Sequence, residues 1–139
     1  MQLVEVAIVV PILLLLILAS AEFGRFFYYY STLSKATRAA AGYMSSKPYT
    51  QASMDKAANL ALCGSFTCAA GSEVLPGLQA TNFDITPHLP EAGNIPPTVT
   101  VTVINYQYQT VFGLGQMIGA SWTSFDIGAS TTMRYLLTN

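Results

Sequence analysis

A single carboxylate, Glu5, lies at the edge of an almost purely apolar stretch, residues 6–19. An ionised group next to hydrocarbon or in a protein core is costly unless a cation or several hydrogen-bond donors compensate it. A place in the first turn of a helix would favour Glu5 by up to about 1 kcal/mol, which is too little to offset burial among leucines. We therefore expect Glu5 to be a functional residue that pairs with a cation.

The remaining residues offer no pattern typical of an enzyme. The chain has one histidine, His88, far from its two cysteines, so neither a nucleophile with its base nor a set of metal ligands can be assembled. No glycine motif that would bind a phosphate is present. We expect His88 to be an exposed loop residue, and we predict a non-enzymatic protein with no metal and no cofactor.

The two cysteines and the charge balance limit the compartment and the partners. A local disulfide between Cys63 and Cys68 is favoured over two free thiols, and it indicates an oxidising space outside the cytoplasm. So short a loop would stabilise the fold by only about 2 kcal/mol. With a net charge of -1, the chain has no basic surface for nucleic acid, and we expect no nucleic-acid partner.

These residues need a long helix and a small head to position them. Mean hydropathy is +0.42, but the apolar excess lies at the amino end, while the part after about residue 43 has ordinary polarity. Residues 2–44 predict one helical rod, roughly 64 Å long, which Pro11 should bend or loosen. The predicted fold class is α+β: a hydrophobic stalk (residues 1–46) and a globular head (residues 47–139) with a short helix and an antiparallel sheet.

The head is predicted from shorter patterns. A helix is expected at residues 49–62, and a Gly- and Pro-rich surface loop at 71–97 with a possible strand at 80–85. Alternating valine and threonine predict a half-buried strand at 98–110, paired with a second strand at 122–137 that is kinked near Gly128. The apolar turn between them, residues 111–119, would pack on the rod, the membrane or a neighbouring subunit.

Three interpretations fit the amino end. Ala19, Ser20 and Ala21 resemble a signal-peptidase site, but the basic segment of a secretory signal is missing. A membrane anchor is possible because residues 1–21 would span about 31 Å as a helix. Arg25, Lys35 and Arg38 would then place the cysteines in the cytoplasm, a conflict that disappears if a basic leader preceded Met1 and was removed. The third is a processed subunit of a filament.

The sequence resembles the TadE family of type IV pilin-like proteins from tight-adherence (Flp) pilus systems. The resemblance rests on Glu5 followed six residues later by Pro11, on the segment from Glu22 to Arg25, and on residues 99–103 through 129–134. It implies cleavage by a prepilin peptidase, a methylated amino terminus at Met1, and a contact between Glu5 and the Met1 ammonium of a neighbouring subunit that aligns subunits during assembly.

The resemblance also implies a function and partners. The chain would be a structural subunit that polymerises with identical subunits into an extracellular, Tad-like filament for adhesion, after residence in the inner membrane and with pilus assembly machinery as a partner. One alternative is a minor pseudopilin that primes or tips a filament of another subunit. A second is a monomeric, membrane-anchored adhesin or binding head.

Several residues of the rod are expected to pack between subunits. Phe26 to Tyr30 would form an interfacial aromatic belt in a membrane or pack between rods in a filament. Glu22 and Arg25 can pair on one helix face, weakly if exposed, and as a device that sets the register if buried in a filament. Alanines at residues 36–40 would face a neighbour or this subunit's own head. The predicted packing residues are Leu13, Leu14, Ile17, Glu22, Arg25, Phe26, Phe27, Tyr28, Tyr29 and Tyr30.

Overall fold

The computed structural model describes residues 2–88, 97–112 and 124–136. It confirms the α+β class, with one long helix, one short helix and antiparallel sheets. The chain forms two compact units, the first from residues 1–28 and 107–125 and the second from residues 29–106 and 126–139. The elements are α1 (Gln2–Met44), α2 (Gln51–Cys63), a 3-10 turn (Ala80–Asn82), β1 (Phe83–His88), β2 (Thr98–Val103), β3 (Gln107–Gln109), β4 (Ser124–Asp126) and β5 (Ser130–Arg134).

Helix α1 is continuous through Pro11, as the long apolar pattern predicted. In the first unit, every large aliphatic side chain from residue 4 to residue 17 is 42–66% exposed, so this part of the helix has no buried face. The helix is long and apolar enough to cross a membrane. The proposed division of the chain at residues 46 and 47 stays a prediction.

The second unit contains a three-stranded antiparallel sheet in the order β1-β2-β5. The alternation predicted for β2 is confirmed: Val99, Val101 and Val103 are buried, whereas Thr100 and Thr102 are half-buried. The two threonines use their hydroxyls across the strand pair, because Thr100 lies 2.8 Å from the Thr132 hydroxyl and Thr102 3.0 Å from that of Ser130. One face of the sheet is therefore apolar core and the other carries hydroxyl pairs.

The later part of α1 supplies the other side of this core. Leu33, Ala36 and Ala40 are buried within the second unit, and Thr37 shares a hydrogen bond of 2.9 Å with Thr131 of β5. Ala39 is exposed. Of the two interpretations of the alanines, the structure favours packing on the subunit's own head, because small side chains let the helix approach the sheet closely.

Two predicted elements need correction. The single strand expected at 98–110 is two strands, β2 and β3, because Asn105 adopts a left-handed conformation (φ 53°) that interrupts an extended chain. The prediction of a loop from Pro87 onward is wrong for Pro87 and His88, because these are the last two residues of β1. Proline is tolerated there because β1 lies at an edge of the described sheet. His88 is exposed as predicted, but in a strand.

Other boundaries follow the predictions with small shifts. Helix α2 begins at Gln51 because the hydroxyl of Thr50 caps it, accepting from the Ser53 N–H at 3.3 Å. The predicted final strand is divided into β4 and β5 by residues 127–129, which include the expected kink at Gly128. Most of the apolar turn at 111–119 lies outside the described residues, which resume at 124. Its first two residues, Val111 and Phe112, are 60% and 43% exposed.

Candidate assembly site

The Glu5 side chain lies in the first turn of α1 and is exposed. In the described part of this single chain, its carboxylate has no hydrogen-bond or ion-pair partner. Glu5 is also the only ionisable side chain among residues 2–21. A carboxylate in such surroundings is free to accept a partner from outside the chain.

The surface around Glu5 is apolar on all sides of the helix. Leu13, Leu14 and Ile17, three of the predicted packing residues, are 51%, 54% and 63% exposed. A helix that is apolar all round is stable in water only when other apolar groups cover it. These three residues are therefore available for contacts beyond their own subunit, and their role in packing stays a prediction.

The second carboxylate of α1, Glu22, is held differently. Its side chain is only 8% exposed, and Oε1 accepts hydrogen bonds from the hydroxyl of Tyr108 at 2.7 Å and from the backbone N–H of Val111 at 3.3 Å. Oε2 is buried and has no hydrogen-bond partner in the described residues. Charge-assisted bonds of this kind are stronger than neutral ones, so Glu22 fastens the segment of β3 to α1 within the first unit.

Arg25 contacts the same tyrosine. Its guanidinium carbon lies 5.4 Å from the centroid of the Tyr108 ring, a cation–π distance. Burial raises the pKa of Tyr108 to about 12, and the hydrogen bond to Glu22 and its negative charge act in the same direction, while Arg25 opposes them. The predicted pair of Glu22 and Arg25 thus meets at Tyr108, although its predicted role between subunits is untested.

Tyr108 was not identified as a site residue from the sequence. Tyr106 and Tyr108 follow a period of two, but they occupy even positions, whereas the buried valines of β2 occupy odd ones, so one uninterrupted strand would place Tyr108 on the threonine face. What the sequence did not show is that this strand meets α1 at Glu22, 86 residues earlier in the chain. A glutamate in the helix just after an apolar run, combined with a buried tyrosine on a strand, is the signal that could have suggested the pair.

The aromatic run divides between buried and exposed side chains. Phe26 packs inside the first unit, with ring centroids 5.8 Å from Tyr108 and 5.6 Å from Phe125. Phe27 and Tyr28 are 63% and 60% exposed in the same unit. In the second unit, Tyr29 is half-buried and Tyr30 is 46% exposed. Phe27, Tyr28 and Tyr30 therefore offer more surface to a membrane or a neighbour than Phe26 does.

The disulfide between Cys63 and Cys68 is confirmed, with the two Cα atoms 5.8 Å apart. It closes the segment that follows α2, where Gly64 adopts the left-handed conformation (φ 73°) that ends the helix. Phe66 inside this loop packs on Tyr43 of α1, with centroids 5.2 Å apart. The loop is thus tied to the second unit by a covalent bond and by an aromatic contact.

No described group of three or more His, Cys, Asp or Glu side chains could hold a metal ion. His88 lies on β1 beside a small cavity of about 70 Å³ that is lined by Tyr49, Pro97 and Tyr135 among others. The expectation that the chain is not an enzyme stays a prediction.

Residues 1–42 match the family model described as TadE-like protein. The match confirms the resemblance predicted from the sequence at the amino end, where it covers the segment that carries Glu5, Pro11, Glu22 and Arg25. The likeness at residues 99–103 through 129–134 stays a prediction. No curated protein and no solved structure shows a significant match to the chain. The match suggests that the chain is associated with the tight-adherence pilus, and the apolar α1 suggests membrane anchoring.

Proposed function

We propose that this chain, whose first 42 residues match the TadE-like family, is a pilin-like structural subunit. It polymerises through α1 into an extracellular, Tad-like filament for surface attachment. One observation carries the proposal. The large aliphatic side chains of residues 4–17 are 42–66% exposed all round the helix, and the only charge among them is that of Glu5. Such a surface requires two things, an apolar cover and a cation.

Lipid and protein can each supply the apolar cover. Moving one such side chain out of water contributes roughly 1.5–3 kcal/mol, so α1 is not stable in water as an exposed helix. Because lipid chains are as apolar as leucine, transfer from the membrane to a filament gains little more from the hydrophobic effect. Close packing of helices and a charge contact must therefore decide between the inserted and the polymerised subunit.

The Glu5 carboxylate can supply the charge contact that favours the polymerised subunit over the inserted one. In lipid an ionised carboxylate lacks compensation, whereas in a filament a cation from the next subunit would supply it. The family resemblance implies that this cation is the Met1 ammonium of a neighbouring subunit. A subunit that docked one turn out of place would leave the carboxylate unpaired, so the contact would set the register as well as the stability.

The head is suited to the outside of the cell. Its disulfide, Cys63 to Cys68, is typical of an oxidising compartment, which supports a location beyond the cytoplasm. The sheet of the second unit and the later part of α1 share one apolar core, so the head does not need α1 residues 4–17 to complete that core. Those residues remain available for the membrane and for polymerisation.

The test is substitution of Glu5 by Ala or Leu in the full chain. We expect the variants to insert into the membrane and to form the disulfide, but to give no filaments, since the cation of the neighbour loses its partner. The matched control is Glu73→Ala, which removes an exposed carboxylate from the head and should leave filaments unchanged. Normal filaments from Glu5→Ala would contradict the proposal.

A further inference from the structure

The first unit contains a cavity of about 380 Å³ to which the proposed function assigns no role. Its wall is almost entirely apolar, because the Glu22 carboxylate is buried and Oε1 is occupied by Tyr108 and Val111. The volume falls in the range of small-molecule sites. The lining residues are Ala19, Glu22, Phe23, Phe26, Tyr108, Thr110 and Phe125.

The cavity is continuous with the exposed apolar surface of α1. Leu15 and Leu16 precede Ala19 by four and three positions, so they share its side of the helix, and they are 42% and 59% exposed. Ala19 itself is half-buried and lines the cavity. Phe23 also lines it and is 64% exposed, so the cavity reaches the surface. An apolar group that lies along residues 4–17 can therefore enter the cavity without crossing a polar barrier.

The position along the helix matches a particular depth in a membrane. At a rise of 1.5 Å per residue, Ala19 lies about 22 Å and Phe26 about 33 Å along the helix from Val4. The hydrocarbon core of a bilayer is about 30 Å thick. With residues 4–21 inserted, the cavity lies at the boundary between acyl chains and headgroups.

We propose that this cavity binds an acyl chain of a bilayer phospholipid. The wall offers few of the polar partners that an ordered water needs, and acyl chains are the most concentrated apolar groups at that depth. A chain that moves from the bilayer into the cavity keeps its apolar surroundings and gains contacts with the aromatic walls. The inference rests on the membrane-inserted state of the proposed function, and it does not require polymerisation.

The test uses the full chain in vesicles of phosphatidylethanolamine and phosphatidylglycerol, with a trace of phospholipid that carries a diazirine on one acyl chain. After irradiation, the labelled residues are located by mass spectrometry of peptides. We expect label on residues 4–17, from lipid around the helix, and also on Thr110 and Phe125, which line the cavity beside β3 and in β4. Label on residues 4–17 without label on Thr110 or Phe125 would overturn the proposal.

A pair of variants separates the cavity from the general lipid surface. Ala19→Phe fills the cavity and should reduce the label on Thr110 and Phe125 to background while residues 4–17 keep theirs. Ala7→Phe makes the same change at an exposed position of the same helix and should leave both sets of labels intact. Undiminished label on Phe125 in Ala19→Phe, with the disulfide formed as a sign of folding, would overturn the proposal.

The outcomes also distinguish this proposal from the proposed function. An unlabelled α1 would contradict membrane insertion and with it both proposals. A labelled α1 with an unlabelled cavity would overturn the lipid site alone. Cavity label that persists in Glu5→Ala, which is expected to insert without polymerising, would support the lipid site whatever the filament assay shows.

Discussion

The two carboxylates of α1, Glu5 and Glu22, have different surroundings. Glu22 is buried and receives hydrogen bonds from Tyr108 and Val111 within its own subunit. Glu5 is exposed and has no partner in the described part of its own chain. The same residue type therefore serves two needs, because one carboxylate fixes the fold of the subunit and the other awaits a partner from outside it.

The first prediction concerns the bond between Tyr108 and Glu22. Tyr108→Phe removes the hydroxyl and leaves the buried carboxylate with one donor fewer, and hydrogen bonds to charged groups contribute about 1.5–3 kcal/mol. We expect the free energy of unfolding to fall by about 2 kcal/mol, measured by denaturant titration in detergent micelles. Tyr28→Phe is the control, since Tyr28 is 60% exposed, and an equal loss in both variants would contradict this role of Tyr108.

The second prediction is a dependence on alkaline pH. The pKa of Tyr108 is raised from 10.0 to about 12 in the folded chain, so the unfolded chain releases this proton first as pH rises. The stabilisation is fully present below pH 10 and is lost between pH 10 and pH 12, to a total of about 3 kcal/mol. Wild type should lose this amount relative to Tyr108→Phe over that interval, whereas parallel pH profiles would show that the tyrosine does not titrate as stated.

Single residues were predictable from the sequence where their environment was local. Glu5 was recognisable because the apolar run follows it directly, and Cys63 and Cys68 because only four residues separate them. Tyr108 was not, because its partner Glu22 is 86 residues away and only the fold brings them together. Asn105 was also missed, since asparagine occurs in many turns and its left-handed conformation is set by neighbours such as Asn82, whose amide donates to the Asn105 carbonyl.

At the scale of elements, α1 contains segments of two kinds. Residues 4–17 have no buried face, while the segment that includes Leu33, Ala36 and Ala40 buries one stripe in the head. The length of the helix was predictable because only Pro11, Gly24 and, near its end, Gly42 interrupt a strongly apolar and helix-forming sequence. Which stripe would be buried by the subunit itself was not, since alanines at helical spacing suit either a neighbour or the head.

The positions of the strands were also easier to predict from the sequence than their ends. Alternation predicted β2 correctly because its valines face a core and its threonines do not. The end of β1 was missed because Pro87 favours a loop in most settings, and only its place at an edge of the described sheet permits it. Local patterns therefore predict where strands form, while their ends depend on pairing.

The third prediction concerns the disulfide element. Replacing Cys63 and Cys68 together by serine should lower the free energy of unfolding by about 2 kcal/mol, because the loop that they close is short. The packing of Phe66 on Tyr43 should hold the loop near α1 in the variant, so membrane insertion and filament formation should persist. Denaturant titration of the variant against the oxidised parent measures the loss, and a loss of filaments would indicate that the disulfide has a direct part in assembly.

At the scale of the whole molecule, the subunit is built for two surroundings. Its second unit has a sheet and helix core and a disulfide, as expected of a folded head outside the cytoplasm. Its first unit carries an apolar helical surface with one accessible carboxylate. We infer that lipid covers this surface before assembly and that neighbouring helices cover it afterwards, with Glu5 favouring the second state.

The most direct test is electron cryomicroscopy of material from cells in which this chain is the sole pilin-like subunit beside the assembly machinery. We predict filaments with a helical lattice of this chain, α1 residues 4–17 in the centre, and the Glu5 carboxylate within hydrogen-bond distance of a cation from a neighbouring copy. Filaments that form only when another subunit is supplied, with this chain confined to a tip, would contradict polymerisation and indicate a minor pseudopilin. A chain that stays monomeric in the membrane while surface attachment persists would contradict it equally and indicate an anchored adhesin.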